Sequence, residues 1–251
     1  HFIIYPNSKE QVRVAEMFKT TSPNVRVVPH IKDIRTWYDF SDETNEIIDS
    51  LPGLLSSDVI QVYPCSTDRL FAKRVDVVIK MFGFIKKAID FSNGGVCLVL
   101  ANQWATGRNR KDDVEKYIKL GEHYGLKYWV DFIFTSDIKK EYEKGISKVV
   151  LRELQLLSNL FIYPTREETF GLVGPEAAFS GSLIVKNESL VMMEEILGSD
   201  CLSFCFGSFA NKVADIENDD YLQAIVFAIL DRFFNNEAIS TKTHCRQRYN
   251  M

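Results

Sequence analysis

Two acidic residues and three basic ones are the groups in this chain best suited to chemistry. Glu168 and Glu176, separated by seven residues, sit in the stretch TREETFGLVGPEAAFSG, Thr165 to Gly181. A carboxylate accepts two hydroxyl hydrogen bonds at once, so each suits a vicinal diol such as that of a ribose or hexose. Gly171, directly after Phe170, lets the backbone come close to a ligand. Arg69, Lys73 and Arg74 fall in and just after a second loop, PCSTDRLFAKR. Arginine suits bidentate binding of phosphate oxygens, and lysine acts as a point charge. A third loop, TSDIKKEYEKG, has backbone groups around Ser136 and Asp137 that could cradle a base. Each feature also has a plain structural reading. Glu168 fits an acid favoured by a helix N-terminus, and Glu176 fits a surface helix former. The basic residues fit solvated side chains at a helix start, at a small cost because cations there oppose the helix dipole. The third loop fits an ordinary polar connection.

The elements that must position these loops follow from hydrophobic period. Val59–Tyr63, Val96–Leu100, Val130–Phe134 and Leu160–Tyr163 are short apolar runs of the kind found in strands, with shorter ones at Leu183–Val185 and Leu202–Phe204. Between them lie helical patterns. One runs from Arg74 to Ile89, with Val75, Val78, Ile79, Phe82, Ile85 and Ile89 on one face; others are Asp112–Tyr124, Lys148–Leu157 and Tyr221–Phe234. Gly125 stands where a helix C-terminus favours glycine. Alternating strands and helices predict an α/β fold, a doubly wound parallel sheet, whose ligands bind outside the carboxyl ends of the strands. All three loops named above follow strands.

The first 40 residues read as one strand–helix–strand unit: strand Phe2–Tyr5, a helix opened by a Ser8–Gln11 capping box, and strand Val25–Val28 ending at Pro29. Val14, Met17 and Phe18 mark the inward face of that helix. The unit is too small to bury its own core, and the chain opens on His1 directly before an apolar strand. We therefore expect residues 1–40 to be the remnant of a preceding domain in an excised fragment. Residues 41–57 read as a linker with one short helix, 58–235 as the main domain, and 236–251 as a C-terminal tail.

The 251 residues are 46% hydrophobic and 25% charged, ordinary for a globular protein with a sizeable core. A net charge of −4 gives no reason to expect nucleic acid as a partner. No apolar run approaches the ~20 residues of a membrane helix, and HFIIYP lacks the form of a signal peptide. The five cysteines (65, 97, 201, 205, 245) are odd in number and scattered, which suits reduced thiols in a cytoplasmic, reducing setting. There is no GxGxxG after the first strand, no P-loop and no Gly-x-Ser-x-Gly elbow. The four histidines are dispersed.

The run LSNLFIYPTREETFGLVGPEAAFSG resembles the donor-site signature of GT-B-fold retaining glycosyltransferases, the family 4-like group. Glu168 and Glu176 meet its Glu-x7-Glu element, with Phe170-Gly171 in the usual place between them. TDRLFAKRVD resembles the Arg-Leu…Lys-Gly-Val-Asp element of the same group at Arg69, Leu70, Lys73, Val75 and Asp76. It is one residue shorter between Arg and Lys, and Arg74 replaces the usual Gly, leaving open which of Lys73 and Arg74 takes the phosphate place. VRVVPHIKD resembles the strand and proline that lead into the domain linker.

The resemblance implies the Rossmann-like C-terminal half of a GT-B fold that transfers a sugar from a nucleotide-diphosphate-sugar, UDP- or GDP-linked, to an acceptor hydroxyl with retention, without a metal or cofactor. Arg69, Lys73 and Glu168 would act at the reacting centre, with Arg69, Lys73 and the helix N-terminus near Gly171 meeting the leaving diphosphate. Glu168 and the backbone of Phe170, Gly171 and Leu172 would hold the sugar, and Glu176 the ribose; Ser136 completes the donor-binding set through the base. The acceptor stays open among carbohydrate, lipid and protein, with peripheral membrane contact left to the missing N-terminal domain. A chain holding only the donor half should bind donor but transfer little. The competing reading is a non-catalytic nucleotide- or sugar-binding module that kept the fold.

Overall fold

The computed structural model describes residues 2–6, 8–20, 24–28, 33–90, 94–104, 111–169, 171–211, 218–236, 238–239, 243 and 246–247. The main body begins with β3 (Val59–Ser66), preceded by β1 (Ile3–Tyr5), α1 (Gln11–Met17), β2 (Val25–Val27), α2 (Ile34–Tyr38) and α3 (Asp42–Ser50). Then come α4 (Val75–Ile89), β4 (Val96–Gln103), α5 (Lys111–His123), β5 (Phe132–Phe134), α6 (Lys148–Leu157) and β6 (Leu160–Tyr163). The last elements are α7 (Val173–Phe179), β7 (Leu183–Asn187), α8 (Met192–Leu197), β8 (Leu202–Phe204) and α9 (Asp219–Phe234). Every strand pair is parallel, as strand–helix alternation requires.

Alternation along β3 and β4 sorts the core into two layers. Val59 and Tyr63, with Leu98 and Leu100, face a layer built from α4, α5 and α9. Ile60 and Val62, with Cys97 and Val99, face the opposite layer, where Ile47 and Ile48 of α3 meet Val150, Leu154 and Leu157 of α6. All six residues expected on the inner face of α4 are buried, and Val77 and Met81 are buried beside them. The stretch 41–57 supplies α3, Leu51 and Leu54 to the second layer, so it packs rather than merely connects.

The ladders form two three-stranded sheets, β3-β4-β5 and β6-β7-β8, and β3 lies beside β6. Beyond a backbone bond from Asn159 N–H to Ile60 O (3.1 Å), the join uses side chains in place of a backbone ladder. The buried Gln61 amide donates to Ile162 O (3.0 Å) and accepts from Ile162 N–H (2.9 Å), completing both polar groups of one peptide position. Asn159 Oδ1 accepts from Ile60 N–H (2.8 Å), and Ser158 Oγ accepts from Val62 N–H (3.1 Å). The six strands thus follow the order β5-β4-β3-β6-β7-β8, the doubly wound pattern with its switch point between β3 and β6.

Several expectations need correction. The Ser8–Gln11 capping box does not form: α1 is capped by Glu10 without a side-chain bond, because Gln11 Nε2 instead donates to Val25 O (2.8 Å) across to β2. Of the inward face expected for α1, only Val14 is buried; Met17 is 63% exposed, with Arg13 against its sulfur. Strand β5 begins at Phe132, after a left-handed Trp129 (φ 69°) has turned the chain, so Val130 lies outside it. The C-terminal tail, residues 236–251, reaches back to the main body. The buried Arg246 guanidinium donates to Leu157 O (3.0 Å) and Leu55 O (3.2 Å) and also to Ser57 O, and burial pushes its pKa down to about 10. Pro29, Asn93, Phe170 and Cys245 lie outside the described residues, as do three of the four histidines.

Gln61 gives the fold a direct test. In Gln61→Leu both polar groups of Ile162 lose their partner, and at ~1–3 kcal/mol for each buried unsatisfied group the variant should lose about 3 kcal/mol of stability. Urea unfolding followed by circular dichroism measures it, and a loss below about 1 kcal/mol would mean that the seam does not depend on this amide.

Candidate functional site

The carboxyl ends of β3 and β6 meet at the switch point, and the loops that leave them are tied together. Arg166 N–H donates to Ala72 O (2.8 Å), and the buried Thr165 hydroxyl donates to the same carbonyl (3.3 Å) and to Glu167 O (2.8 Å). From the other side Asn187 Nδ2 donates to Thr165 O (2.9 Å) and to Gly207 O (2.6 Å). Residues 69–74 are wound on themselves by Lys73 N–H to Arg69 O (2.8 Å) and Val75 N–H to Leu70 O (3.1 Å), and Tyr63 O–H fixes Lys73 O (2.8 Å).

This frame opens into a cleft of about 580 Å³ whose lining includes Arg69, Lys73, Tyr163, Glu168, Gly171 and Leu172. The Lys73 ammonium forms an ion pair with Glu168 Oε2, and both side chains are largely shielded, 13% and 17% exposed. Tyr163 O–H donates to the same oxygen (2.8 Å), and its ring lies 5.6 Å from Lys73 Nζ. Burial pushes the Glu168 carboxyl pKa up. The hydrogen bonds from Lys73 and Tyr163 and the charges of Lys73 and Arg69 outweigh it and hold the group below its ordinary value. Glu168 is therefore an anion at neutral pH, an acceptor rather than a proton donor. Arg69 stands at the rim, 46% exposed, with Nη2 at 2.5 Å from Glu167 Oε1. Cys65 also lines the cleft, but burial raises its thiol to about 12, which removes it as a nucleophile near pH 7.

Arg74 and Lys73 part company. Arg74 takes the left-handed conformation (φ 53°, ψ 43°) that precedes α4, a conformation glycine adopts without cost. Its side chain is 3% exposed and faces Asp76 at 3.4 Å, outside the cleft lining. Only Lys73 of the two presents its charge to the cleft. Gly171 is also left-handed (φ 73°), and a Cβ there would meet Glu168 Cγ at 2.8 Å and Tyr163 OH at 3.1 Å.

Three expected residues do not join the group. Ser136 is buried in a polar knot outside the cleft lining, its N–H donating to Asn102 Oδ1 (3.0 Å) and its hydroxyl accepting from Asn102 Nδ2 (2.9 Å) and donating to Asp137 Oδ1 (3.4 Å). Asp137 Oδ2 accepts from Tyr128 O–H (2.6 Å). Glu176 lies exposed on α7, outside the cleft lining. Phe170 falls outside the described residues. Conversely, sequence reasoning passed over Tyr163, Gln103, Gly145 and Lys148, all of which line the cleft. Gln103 and Tyr163 end strands β4 and β6, so the rule that ligands gather at carboxyl ends would have flagged both.

The Glu168 cluster has a pH signature. Its folded pKa is depressed, so its contribution is present above the unfolded value near 4.5 and is lost as pH falls through the folded one. Glu168→Gln should be about 1–3 kcal/mol less stable than the parent at pH 7, the worth of hydrogen bonds to a charged group. That gap should close as the pH falls below 4.5, as read by thermal unfolding of both proteins. A gap independent of pH would mean that the lysine and tyrosine do not hold a carboxylate.

No family model and no curated protein sequence matches the chain. Solved structures do match it in fold. Trehalose-6-phosphate synthase OtsA superposes with a TM-score of 0.55 at 10% identity, over 98% of this chain and 54% of that one. An Escherichia coli structure described as trehalose-6-phosphate bound with UDP-2-fluoro glucose gives 0.54 at 10% identity, over 98% and 56%. The N-terminal domain of Candida albicans trehalose-6-phosphate phosphatase gives 0.54 at 12% identity, over 100% and 55%. The chain spans little more than half the length of these structures. Among its described residues, no helix is long and apolar enough to cross a membrane. The parallel α/β architecture is that of a Rossmann-like half, and the chain has a GT-B glycosyltransferase-like fold.

Proposed function

We propose that this chain is the donor-binding half of a retaining glycosyltransferase, which takes a sugar from a nucleotide-diphosphate-sugar and passes it to an acceptor hydroxyl. The observation that carries this reading is the meeting of Arg69, Lys73 and Glu168 at one cleft from loops about a hundred residues apart, at the switch point of the sheet. Support for a nucleotide-sugar ligand comes from the matched E. coli structure, whose description names a bound UDP-2-fluoro glucose.

In this reading Arg69 and Lys73 receive the diphosphate. As the bond from the anomeric carbon to the diphosphate breaks, negative charge grows on the leaving oxygen, and fixed cations stabilise it without reorganising. The two side chains supply positive charge that a metal would otherwise bring, and the reaction is assigned no cofactor. Glu168, ionised and held by Tyr163, accepts from sugar hydroxyls. The backbone of Gly171 approaches closely because no side chain intervenes. Glu176 is assigned the ribose; from its exposed place on α7 it meets a ligand that extends beyond the cleft lining.

Residues 1–40 are assigned to a second, acceptor-side domain. The parallel pair β1–β2 leaves Ile4 of β1 and Val28, directly after β2, exposed, whereas parallel strands are ordinarily covered on both faces. The chain alone should then bind donor and transfer little.

A thermal-shift panel of UDP-, GDP- and ADP-sugars tests the proposal. A ligand that binds the folded state raises the melting temperature by mass action. One nucleotide class should stabilise the protein, and Arg69→Ala and Lys73→Ala should each weaken that class about tenfold or more, the cost of a lost hydrogen bond between charged groups. Glu176→Ala should weaken it if the ribose assignment holds. Absence of any shift across the panel would defeat the donor reading, and robust transfer by this 251-residue chain would defeat the two-domain assignment.

A further inference from the structure

Arg69 and Lys73 both line the cleft, and each is held by a carboxylate, but the two carboxylates are held very differently. Glu168 is largely shielded and takes two donors, Lys73 and Tyr163, on one oxygen. Glu167 is half exposed, and Arg69 is the one partner of its carboxylate among the described residues. Its backbone is fixed separately, since Glu167 O accepts from Thr165 Oγ1 and the preceding Arg166 N–H is tied to Ala72 O. The side chain can therefore leave Arg69 without disturbing the loop.

We propose that Glu167 is a built-in competitor for the ligand's diphosphate: it occupies the Arg69 guanidinium while the cleft is empty and gives way when a phosphate arrives. The inference rests on the donor-site reading above. Arginine offers five donors in a planar fork suited to two phosphate oxygens at once, and Glu167 engages one nitrogen. An exposed ion pair of this kind is worth little to the fold, so stability gives no reason to keep it. Its effect falls on the ligand. While Glu167 holds Arg69 it cancels that charge, so a diphosphate meets the full attraction of the cleft's cations, Lys73 and Lys148 included, only when Glu167 has turned to solvent. No bond is made and no proton moves; one anion replaces another on the same guanidinium. The exchange weakens diphosphate binding, and it also hastens departure of the spent nucleoside diphosphate as Glu167 recaptures Arg69.

Isothermal titration of the 251-residue protein with UDP, GDP and ADP, at low and high salt, tests this for the parent, Glu167→Gln and Glu167→Ala. Both variants should bind the accepted nucleotide about three- to fivefold more tightly at low salt, the scale of an exposed ion pair. The gain should shrink at high salt, and dissociation should be slower. In an Arg69→Ala background, Glu167→Gln should gain nothing. If the parent binds a nucleotide and Glu167→Gln binds it equally or more weakly, the competitor role is overturned while the donor site stands. If none of UDP, GDP and ADP binds the parent, the donor reading falls and this inference falls with it.

Discussion

The structure depends on the seam between β3 and β6. Two three-stranded sheets meet there without a backbone ladder, so each strand brings N–H and C=O groups to the join that need partners. Side chains meet the need. Gln61 pairs with both polar groups of Ile162, Asn159 with Ile60, and Ser158 with Val62. Aromatic packing closes the same junction, with Tyr63 and Tyr163 edge to face at 6.3 Å and Phe161 at 5.6 Å from Tyr63. At the carboxyl edge of this join lies the cleft, lined by the loops that continue from the two strands. The two halves of the candidate site stand on opposite sides of the seam: Arg69 and Lys73 follow β3, Glu167 and Glu168 follow β6.

Electrostatics in the cleft is the result of that placement. The loops bring two cations and two anions together, and burial separates them into a shielded pair and an exposed one. The shielded pair is the better organised, because Tyr163 adds a neutral donor to a carboxylate already facing Lys73. Arg74, which could have competed with Lys73, is withdrawn by its backbone: a left-handed residue ahead of α4 directs its side chain to Asp76. The chain thus sets an arginine in a conformation that favours glycine, and of these two neighbouring cations only Lys73 lines the cleft.

Much of this was legible in the sequence where a strong period met a long burial interface. Helix Lys148–Leu157 and strands Leu160–Tyr163 and Leu202–Phe204 begin and end where the residue pattern says they should. The face of α4 was readable because six apolar residues recur at helical spacing. Local signals failed where tertiary partners decide. Gln11 has the spacing of a capping residue but finds a carbonyl on β2, and Met17 and Phe18 have helical spacing but stay largely at the surface. Ser136 sits in a loop that could hold a base, yet Asn102, 34 positions earlier, claims its polar groups. Gln61 is the plainest case. A polar residue inside an apolar strand run carries no local hint of a partner 101 positions away.

That separation has a kinetic side. Gln61 and Ile162 are 101 residues apart, and Lys73 and Glu168 are 95 apart. Each half-sheet can assemble from nearer neighbours, but the join requires closure of a loop about a hundred residues long, with its entropy lost before any hydrogen bond returns it. Until closure, Gln61 and Asn159 remain hydrated, and hydrophobic collapse alone supplies little reason to bring them into register. The seam is therefore suited to form last, as a docking of two preformed half-sheets. A chain paused at that stage would have both halves folded and no cleft between them, so acquiring the site and completing the fold would be the same event.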